Sequence, residues 1–259
     1  MKGHYHLQLE HLGQTGLKIT SKNSTILIDP YLSNSVQLKE GDDLIRNIPI
    51  PYAPEQITNI EWVLITHDHL DHCDPHTLPL IAKGNPICKF FGPPAVRKKL
   101  EKWGINKQNI YSPSYEWYEL TNDIWIHAVP AAHPNLIKDE KGEYQAIGWM
   151  IKSHEKKIYV AGDTSLCEEL ISTLNRFKPI DCALLPVNED NFFRRRRGIV
   201  GNMSIREAFG LAEELSINQV APVHWDMFTI NSTSQGEIDA VYNAYSWNFL
   251  LKKVEDLVL

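Results

Sequence analysis

An α/β fold is predicted by three features of the sequence. Short apolar runs of strand length, rich in β-branched residues, alternate with segments of helical periodicity along most of the chain. Four of those runs end in a side chain able to hold a metal (Asp29, His67, Asp163 and His224), and His133 closely follows a fifth. Strand ends gathered on one edge of a sheet are where α/β folds build their sites. No Pro/Gly/Ser-rich linker divides the 259 residues, so residues 1–259 are read as a single domain.

Taken in order, His6-Leu-Gln-Leu alternates, Gly13 to Gly16 turns, Leu17 to Thr20 alternates, and Lys22-Asn-Ser turns again. Thr25-Ile-Leu-Ile is then a buried strand ending at Asp29-Pro30. Residues 31–58 show little periodicity and many turn formers, including Pro49, Pro51 and Pro54; a loop that long is usually functional or a lid. Trp62 to Ile65 is a strand ending at Thr66, after which Asp74 caps a helix with Pro75 in first position, running to Gly84. Ile87 to Phe91 reads as a strand and Pro94 to Trp103 as a helix stopped by Gly104. Trp117 to Leu120, Ile124 to Val129, Ala146 to Ser153 and Lys157 to Ala161 are strands, followed by a helix over Glu168 to Phe177 and a strand over Cys182 to Pro186. Ser204-Ile-Arg-Glu207 is a capping box opening a helix to Leu215. Val220 to Val223 is a strand ending at His224, Glu237 to Ser246 a helix, and Phe249 to Val254 the last strand.

The stretch His67-Asp68-His69-Leu70-Asp71-His72-Cys73-Asp74 crowds three histidines and three aspartates onto the turn that leaves a strand. His-x-His-x-Asp-His puts four metal-capable side chains on one rigid corner. Imidazole and carboxylate together suit zinc, manganese or iron, and too few cysteines lie nearby for a sulfur site. Cys73 abuts the motif and reads either as a ligand or as a packed thiol, the plainer choice. For each of Asp29, His133 and Asp163 alone, a turn or surface role is the ordinary reading. Their recurrence at the same structural position makes them site candidates. His4, His6, His11, His76, His127 and His154 show no such recurrence and are read as structural.

Composition narrows the function. Hydrophobic content of 43%, with ten Tyr, eight Phe and seven Trp, is ample for a large core. A net charge of −6 does not favour nucleic acid as a partner. No apolar run approaches ~20 residues and Met1 to His6 lacks the apolar stretch of a signal peptide, so neither a membrane span nor export is expected. Cys73, Cys88, Cys167 and Cys182 are scattered with no C-x-x-C pair, which reads as reduced thiols and a cytoplasmic location.

His67-x-His69-x-Asp71-His72, then His133, Gly162-Asp163-Thr164 and His224, resembles the metallo-β-lactamase superfamily across the whole chain and in the right order. The resemblance implies a four-layer αβ/βα sandwich with two divalent metal ions at one edge between two sheets. It implies that His67, His69 and His133 hold the first ion, that Asp71, His72 and His224 hold the second, and that Asp163 bridges them. Asp29 matches the superfamily's first acidic motif, a residue that supports a ligand from behind. Two stretches are more particular: Pro51-Tyr-Ala-Pro to His67, and Arg197-Gly-Ile-Val-Gly-Asn-Met-Ser-Ile-Arg-Glu-Ala with Ala221-Pro-Val-His224-Trp-Asp. Both resemble the L-ascorbate-6-phosphate lactonase branch, which implies a cytosolic hydrolase using manganese or zinc. Leu184-Leu-Pro-Val and Pro222-Val-His224-Trp225 also resemble the N-acylphosphatidylethanolamine-hydrolysing phospholipase D branch.

The ligand types set the expected chemistry. A divalent ion lowers the pKa of bound water from about 15.7 to ~7, and a second ion can polarise a carbonyl or phosphoryl oxygen. No G-x-S-x-G elbow is present, so attack by metal-bound hydroxide is expected, with Asp71 or Asp163 accepting the proton. The lactonase resemblance implies a small anionic substrate, a lactone or similar ester of a phosphorylated sugar acid. The rival enzymatic reading is a phosphodiesterase acting on a nucleotide or phospholipid headgroup, whose lipid form is weakened by the lack of an amphipathic basic helix. A metal-binding regulatory module is the non-enzymatic rival. Arg194-Arg195-Arg196-Arg197 concentrates charge in one loop. Arg194 to Arg196 read as a solvated run or the contact surface of a homo-oligomer. Arg197, beside Gly198, is placed to fork onto a substrate phosphate or carboxylate.

Overall fold

The computed structural model describes residues 7–22 and 24–258, so His4, His6 and the predicted start of the first strand at His6 lie outside the described residues. In the first half, β1 (Gln8–Gly13), β2 (Gly16–Thr20) and β3 (Thr25–Ile28) form an antiparallel ribbon. The sheet then continues in parallel through β4 (Trp62–Leu64), β5 (Lys89–Phe91) and β6 (Ile110–Tyr111). Parallel neighbours need crossover connections, and these carry α1 (Ser35–Glu40), α2 (Leu78–Gly84) and α3 (Pro94–Lys102). The second half repeats the plan. β7 (Tyr118–Thr121), β8 (Ile124–Pro130), β9 (Ile147–Ser153) and β10 (Lys156–Val160) are antiparallel, and β11 (Cys182–Pro186), β12 (Gln219–Val223) and β13 (Leu250–Leu251) extend the sheet in parallel. Its connections carry α4 (Glu168–Asn175), α5 (Phe192–Arg195), α6 (Ile205–Leu215) and α7 (Gln235–Asn243).

Alternation along the strands builds the layers. Ile26, Ile28, Trp62 and Leu64 face Ile126, Trp149, Ile158 and Leu184 between the two sheets. Leu27, Val63 and Phe90 turn the other way, onto Leu78, Ile81, Val96 and Leu100 of α2 and α3. On the far side Met150, Tyr159, Ala183 and Val220 pack on Leu170 and Leu174 of α4 and on Phe209, Ala212 and Leu215 of α6. Strands covered on both faces read as continuous apolar runs. The result is the expected helix–sheet–sheet–helix sandwich.

Several predicted boundaries move. The helix expected from Pro75 begins at Leu78 with Pro79 in its first turn, where the missing N–H costs nothing. The Asp74 carboxylate instead closes a turn, accepting from the His76 amide at 2.9 Å and from Thr77 Oγ1 at 2.5 Å. Residues 31–58, read as irregular, hold α1 and short 3-10 turns at Asp42–Leu44 and Pro54–Gln56; each is too short to show a period. The last strand keeps only Leu250–Leu251, with a 3-10 turn at Val254–Asp256. The last helix starts at Gln235 behind a second capping box, Ser234 with Glu237. Among the described residues no helix is long and apolar enough to cross a membrane.

The two sheets meet at their common edge through Thr66 and Gly162. The Ile147 amide donates to Thr66 O at 3.0 Å. Gly162, at φ +61°, lies so close that an added Cβ would stand 2.7 Å from Thr66 Cβ. Gly162→Ala combines a left-handed penalty of ~1–2 kcal/mol with overpacking of ~1–3 kcal/mol. Denaturant unfolding of this variant is expected to show a loss of about 2–5 kcal/mol.

Candidate metal centre

The centre begins one layer behind the candidate ligands, at Asp29. This residue directly follows β3, is fully buried and holds φ +42°. Its Oδ1 accepts from the Thr66 amide at 2.8 Å, and its Oδ2 from Thr66 Oγ1 at 2.6 Å and Thr15 Oγ1 at 3.2 Å. Oδ2 also lies 2.8 Å from His72 Nδ1. A carboxylate on Nδ1 fixes the tautomer so that the lone pair of Nε2 faces the site. Thr66 Oγ1, 3.1 Å from His67 Nδ1, sets that ring in the same way.

Two groups of ligand-capable atoms result, each with all members within 4.8 Å of one another: His67, His69, His133 and Asp163, and Asp71, His72 and His224. In the first, His133 Nε2 stands 3.1 Å from His69 Nδ1 and 3.5 Å from Asp163 Oδ2. In the second, His224 Nε2 is 3.3 Å and His72 Nε2 3.7 Å from Asp71 Oδ2. Asp163 lies between them, its Oδ1 3.3 Å from His72 Nε2 and its Oδ2 3.3 Å from His224 Nε2. The structure thus brings His67, His69, Asp71, His72, His133, Asp163 and His224 together, with Asp163 lying against both groups.

A divalent cation fits this set. His67 Nε2, His72 Nε2 and Asp163 Oδ1 are buried with no hydrogen-bond partner, and such atoms are costly unless something satisfies them. Burial drives His67 well below the ordinary histidine value, helped by the neighbouring His72, His69 and His133. Burial likewise takes His133 down to about 4, against the pull of Asp163. His72 and His224 go the other way. Burial opposes their charge, but the Asp163 and Asp71 carboxylates outweigh it, holding His72 well above the usual value and His224 at about 9. Those two carboxylates, although buried, are held below their usual range by His72 and His224. A cation entering the second group would replace protons there.

Other residues fall where sequence reasoning did not look. Gln14, fully buried in the β1–β2 turn at φ +58°, reaches Asp71 and His224 with its amide. Thr15 touches both Asp29 and His72. The Gly13-Gln-Thr-Gly16 turn was legible, but two small polar residues in a turn carry no metal signal. Asp68 points away to Lys99 Nζ at 2.8 Å, and Cys73 is a packed thiol in the core. Within the arginine run, Arg194 corrects the expectation of a solvated side chain. It is buried and donates to Glu189 O and, at 2.7 Å, to Ser232 O, pinning the loop. Arg195 and Arg196 are exposed, and Arg195 pairs with Asp190.

Arg197 lines the cleft over the two groups, with Gly198, Ile199 and Val200 on one wall and Val36, Glu40 and Leu44 of the 31–58 segment on another. Leu70, Phe228 and Asn231 complete it beside His69, Asp71, Asp163 and His224. Segment 31–58 is therefore part of the site's wall.

A family model described as a beta-lactamase superfamily domain matches residues 24–225, a span holding Asp29 and every ligand candidate through His224. A metal-dependent hydrolase of Caldivirga maquilingensis is 29% identical over 223 residues, covering 85% of this chain and 82% of that protein. N-acyl-phosphatidylethanolamine-hydrolyzing phospholipase D 1 of Caenorhabditis elegans is 22% identical over 234 residues, 86% of this chain but only 64% of that protein. Among solved structures, the isothiocyanate hydrolase from Delia radicum gut bacteria superposes with a TM-score of 0.74 at 19% identity, covering 94% of this chain and 95% of that one. That last likeness speaks for the fold alone.

Removing the Asp29 carboxylate frees His72 to rotate and strands two buried donors of Thr66. Asp29→Ala is expected to weaken binding at the Asp71, His72 and His224 group by roughly 10–100-fold, the usual cost of losing a carboxylate behind a metal-ligating histidine. Competitive chelator titration of the reloaded variant measures it.

Proposed function

The chain belongs to the metallo-β-lactamase superfamily, and from that membership and the site's geometry we propose a metal-dependent hydrolase that opens a lactone or similar ester of a small phosphorylated sugar acid. The observation that carries the reading is the pair of imidazole–carboxylate groups joined through Asp163 beneath a cleft with one cationic wall residue, Arg197. In this reading His67, His69 and His133 would hold the first ion, Asp71, His72 and His224 the second, and Asp163 would be shared between them. Two divalent ions, zinc or manganese with iron as a further fit, supply an activated water and polarise the carbonyl or phosphoryl oxygen under attack. Asp71 and Asp163 are the carboxylates at hand to accept the proton from that water. Leu70, Ile199 and Phe228 give the cleft an apolar lining beside these groups. The Arg197 guanidinium holds the anionic end of the substrate in two parallel hydrogen bonds. Cytoplasmic residence belongs to the same reading and is supported by free Cys73, Cys88, Cys167 and Cys182.

The likeness to the phospholipase D of Caenorhabditis elegans favours a second reading, a phosphodiesterase acting on a nucleotide or phospholipid headgroup. The same protein groups serve it, with a phosphoryl oxygen in place of the carbonyl. Hydrolysis rates over a panel of phosphorylated lactones and phosphodiesters separate the two. Metal uptake with no turnover on either class would instead favour a metal-binding regulatory module.

Elemental analysis after reloading is expected to find close to two ions per chain, and Asp163→Ala to abolish turnover because, among the described residues, Asp163 is the carboxylate that lies against histidines of both groups. An Asp163→Ala protein with full loading and near-normal rate would refute the bridging role. Arg197→Ala is expected to raise KM roughly tenfold to a hundredfold with a much smaller change in kcat, since the anion lies away from the reacting bond. Arg197→Lys should recover only part of this, because lysine offers a point charge without the fork. Steady-state kinetics on the best panel substrate checks both.

A further inference from the structure

The geometry points to Gln14 as an additional oxygen ligand of the second ion, an assignment that rests on the two-ion reading above. Gln14 stands at the tip of the β1–β2 turn in left-handed backbone, where a non-glycine residue persists only if its surroundings hold it. They do: its carbonyl accepts from the His224 amide at 3.2 Å and faces His11 Nε2 at 3.0 Å. With Thr15 Oγ1 3.0 Å from His72 Nδ1, this turn braces each of Asp71, His72 and His224.

The side chain goes further than bracing. Its terminal amide nitrogen lies 2.6 Å from Asp71 Oδ2 and 3.0 Å from His224 Nε2. Both contacts are as short as or shorter than those among the neighbouring ligand candidates, 3.3 Å for His224 Nε2 to Asp71 Oδ2 and 3.3 Å for His224 Nε2 to Asp163 Oδ2. The amide thus flanks the same centre that the ligand atoms surround. Once His224 Nε2 gives its lone pair to an ion, it can no longer accept from an amide N–H, so a nitrogen is the wrong atom beside it. The two ends of a glutamine amide have nearly the same shape, and Oε1 is buried with no hydrogen-bond partner. Turned over, Oε1 enters the coordination shell as glutamine carbonyls do at oxygen-rich cation sites. The second ion then has Asp71, Asp163 and Gln14 oxygens with two imidazoles. Three imidazoles and one carboxylate are left to the first. An oxygen-rich shell of this kind suits manganese.

Equilibrium dialysis of the metal-stripped full-length protein against Mn(II) alone, read by elemental analysis, tests the assignment. Wild type is expected to take up two ions. Gln14→Met, which keeps the volume and removes the oxygen, is expected to bind the second about tenfold or more weakly while the first is unchanged. Gln14→Glu is expected to bind the second more tightly than wild type and to gain more thermal stability from Mn(II). If Gln14→Met does not fold, Gln14→Glu decides, and weaker second-ion binding by it overturns the assignment. Equal or tighter second-ion binding by Gln14→Met overturns it too, equal binding leaving the amide a bystander and tighter binding making it a competitor for Asp71. A wild type that never exceeds one ion defeats the two-ion reading and this assignment with it, whereas two ions bound equally well by wild type and Gln14→Met defeat the assignment alone.

Discussion

The buried carboxylate of Asp29 is the contact on which the site depends. It takes hydrogen bonds from Thr66 on the β4 turn and from Thr15 on the β1–β2 turn, and it holds His72 by Nδ1. One side chain therefore ties together three segments of the first sheet that are far apart in sequence. A fully buried carboxylate is stable only when such donors surround it. Its left-handed backbone is a local cost, offset by those bonds. The metal corner owes its rigidity to this arrangement more than to its own short turn.

Direction of the strands explains why the remaining candidates gather. β3 and β4 are parallel, so Asp29 and the His67 turn leave the first sheet at the same edge. In the second sheet β10, β11 and β12 are parallel, which puts Asp163 and His224 on one edge. β8 is antiparallel to β9 and β9 to β10, so β8 runs with β10 and delivers His133 to that edge as well. Each group of ligand candidates then draws on both sheets: His67 and His69 with His133 and Asp163, Asp71 and His72 with His224. Neither half of the chain can assemble a site alone. The apolar layer between the sheets, to which the fully buried Trp149 belongs, holds the two sheets together behind the site.

Much of this was legible in the sequence because the signals are local. A strand that ends in Asp or His declares both its length and its chemistry, and residues 25–29, 62–67, 157–163 and 220–224 did so. The family resemblance supplied the pairing of the two sheets, which no local pattern contains. Three things were hidden for physical reasons. α1 is a six-residue helix, shorter than two turns, so its period never repeats. Arg194 is buried by contacts to Glu189 and Ser232, and a run of like residues gives no hint that one member turns inward. Gln14 and Thr15 act through partners 57 and 210 residues away, a relation that appears only in three dimensions.

One strand that carries no ligand candidate is as informative as those that do. β11 lies between β10 and β12 and points to the same edge, yet it ends in Pro186-Val187-Asn188. Asn188 is fully buried, accepts from Asn202 Nδ2 at 2.8 Å and donates to Asn231 at 3.2 Å. Asn231 lines the cleft, and Asn202 ends the loop whose other stretch, Arg197 to Val200, forms its wall. A neutral amide can donate and accept at once, which a carboxylate cannot, and Asn188 uses both ends, one on each loop. The edge of the second sheet thus divides its work: β8, β10 and β12 present groups toward the centre, and β11 between them anchors the wall above it. Positions that share an edge thus divide between side chains that face the two ligand-capable groups and one that ties together the loops lining the cleft over them.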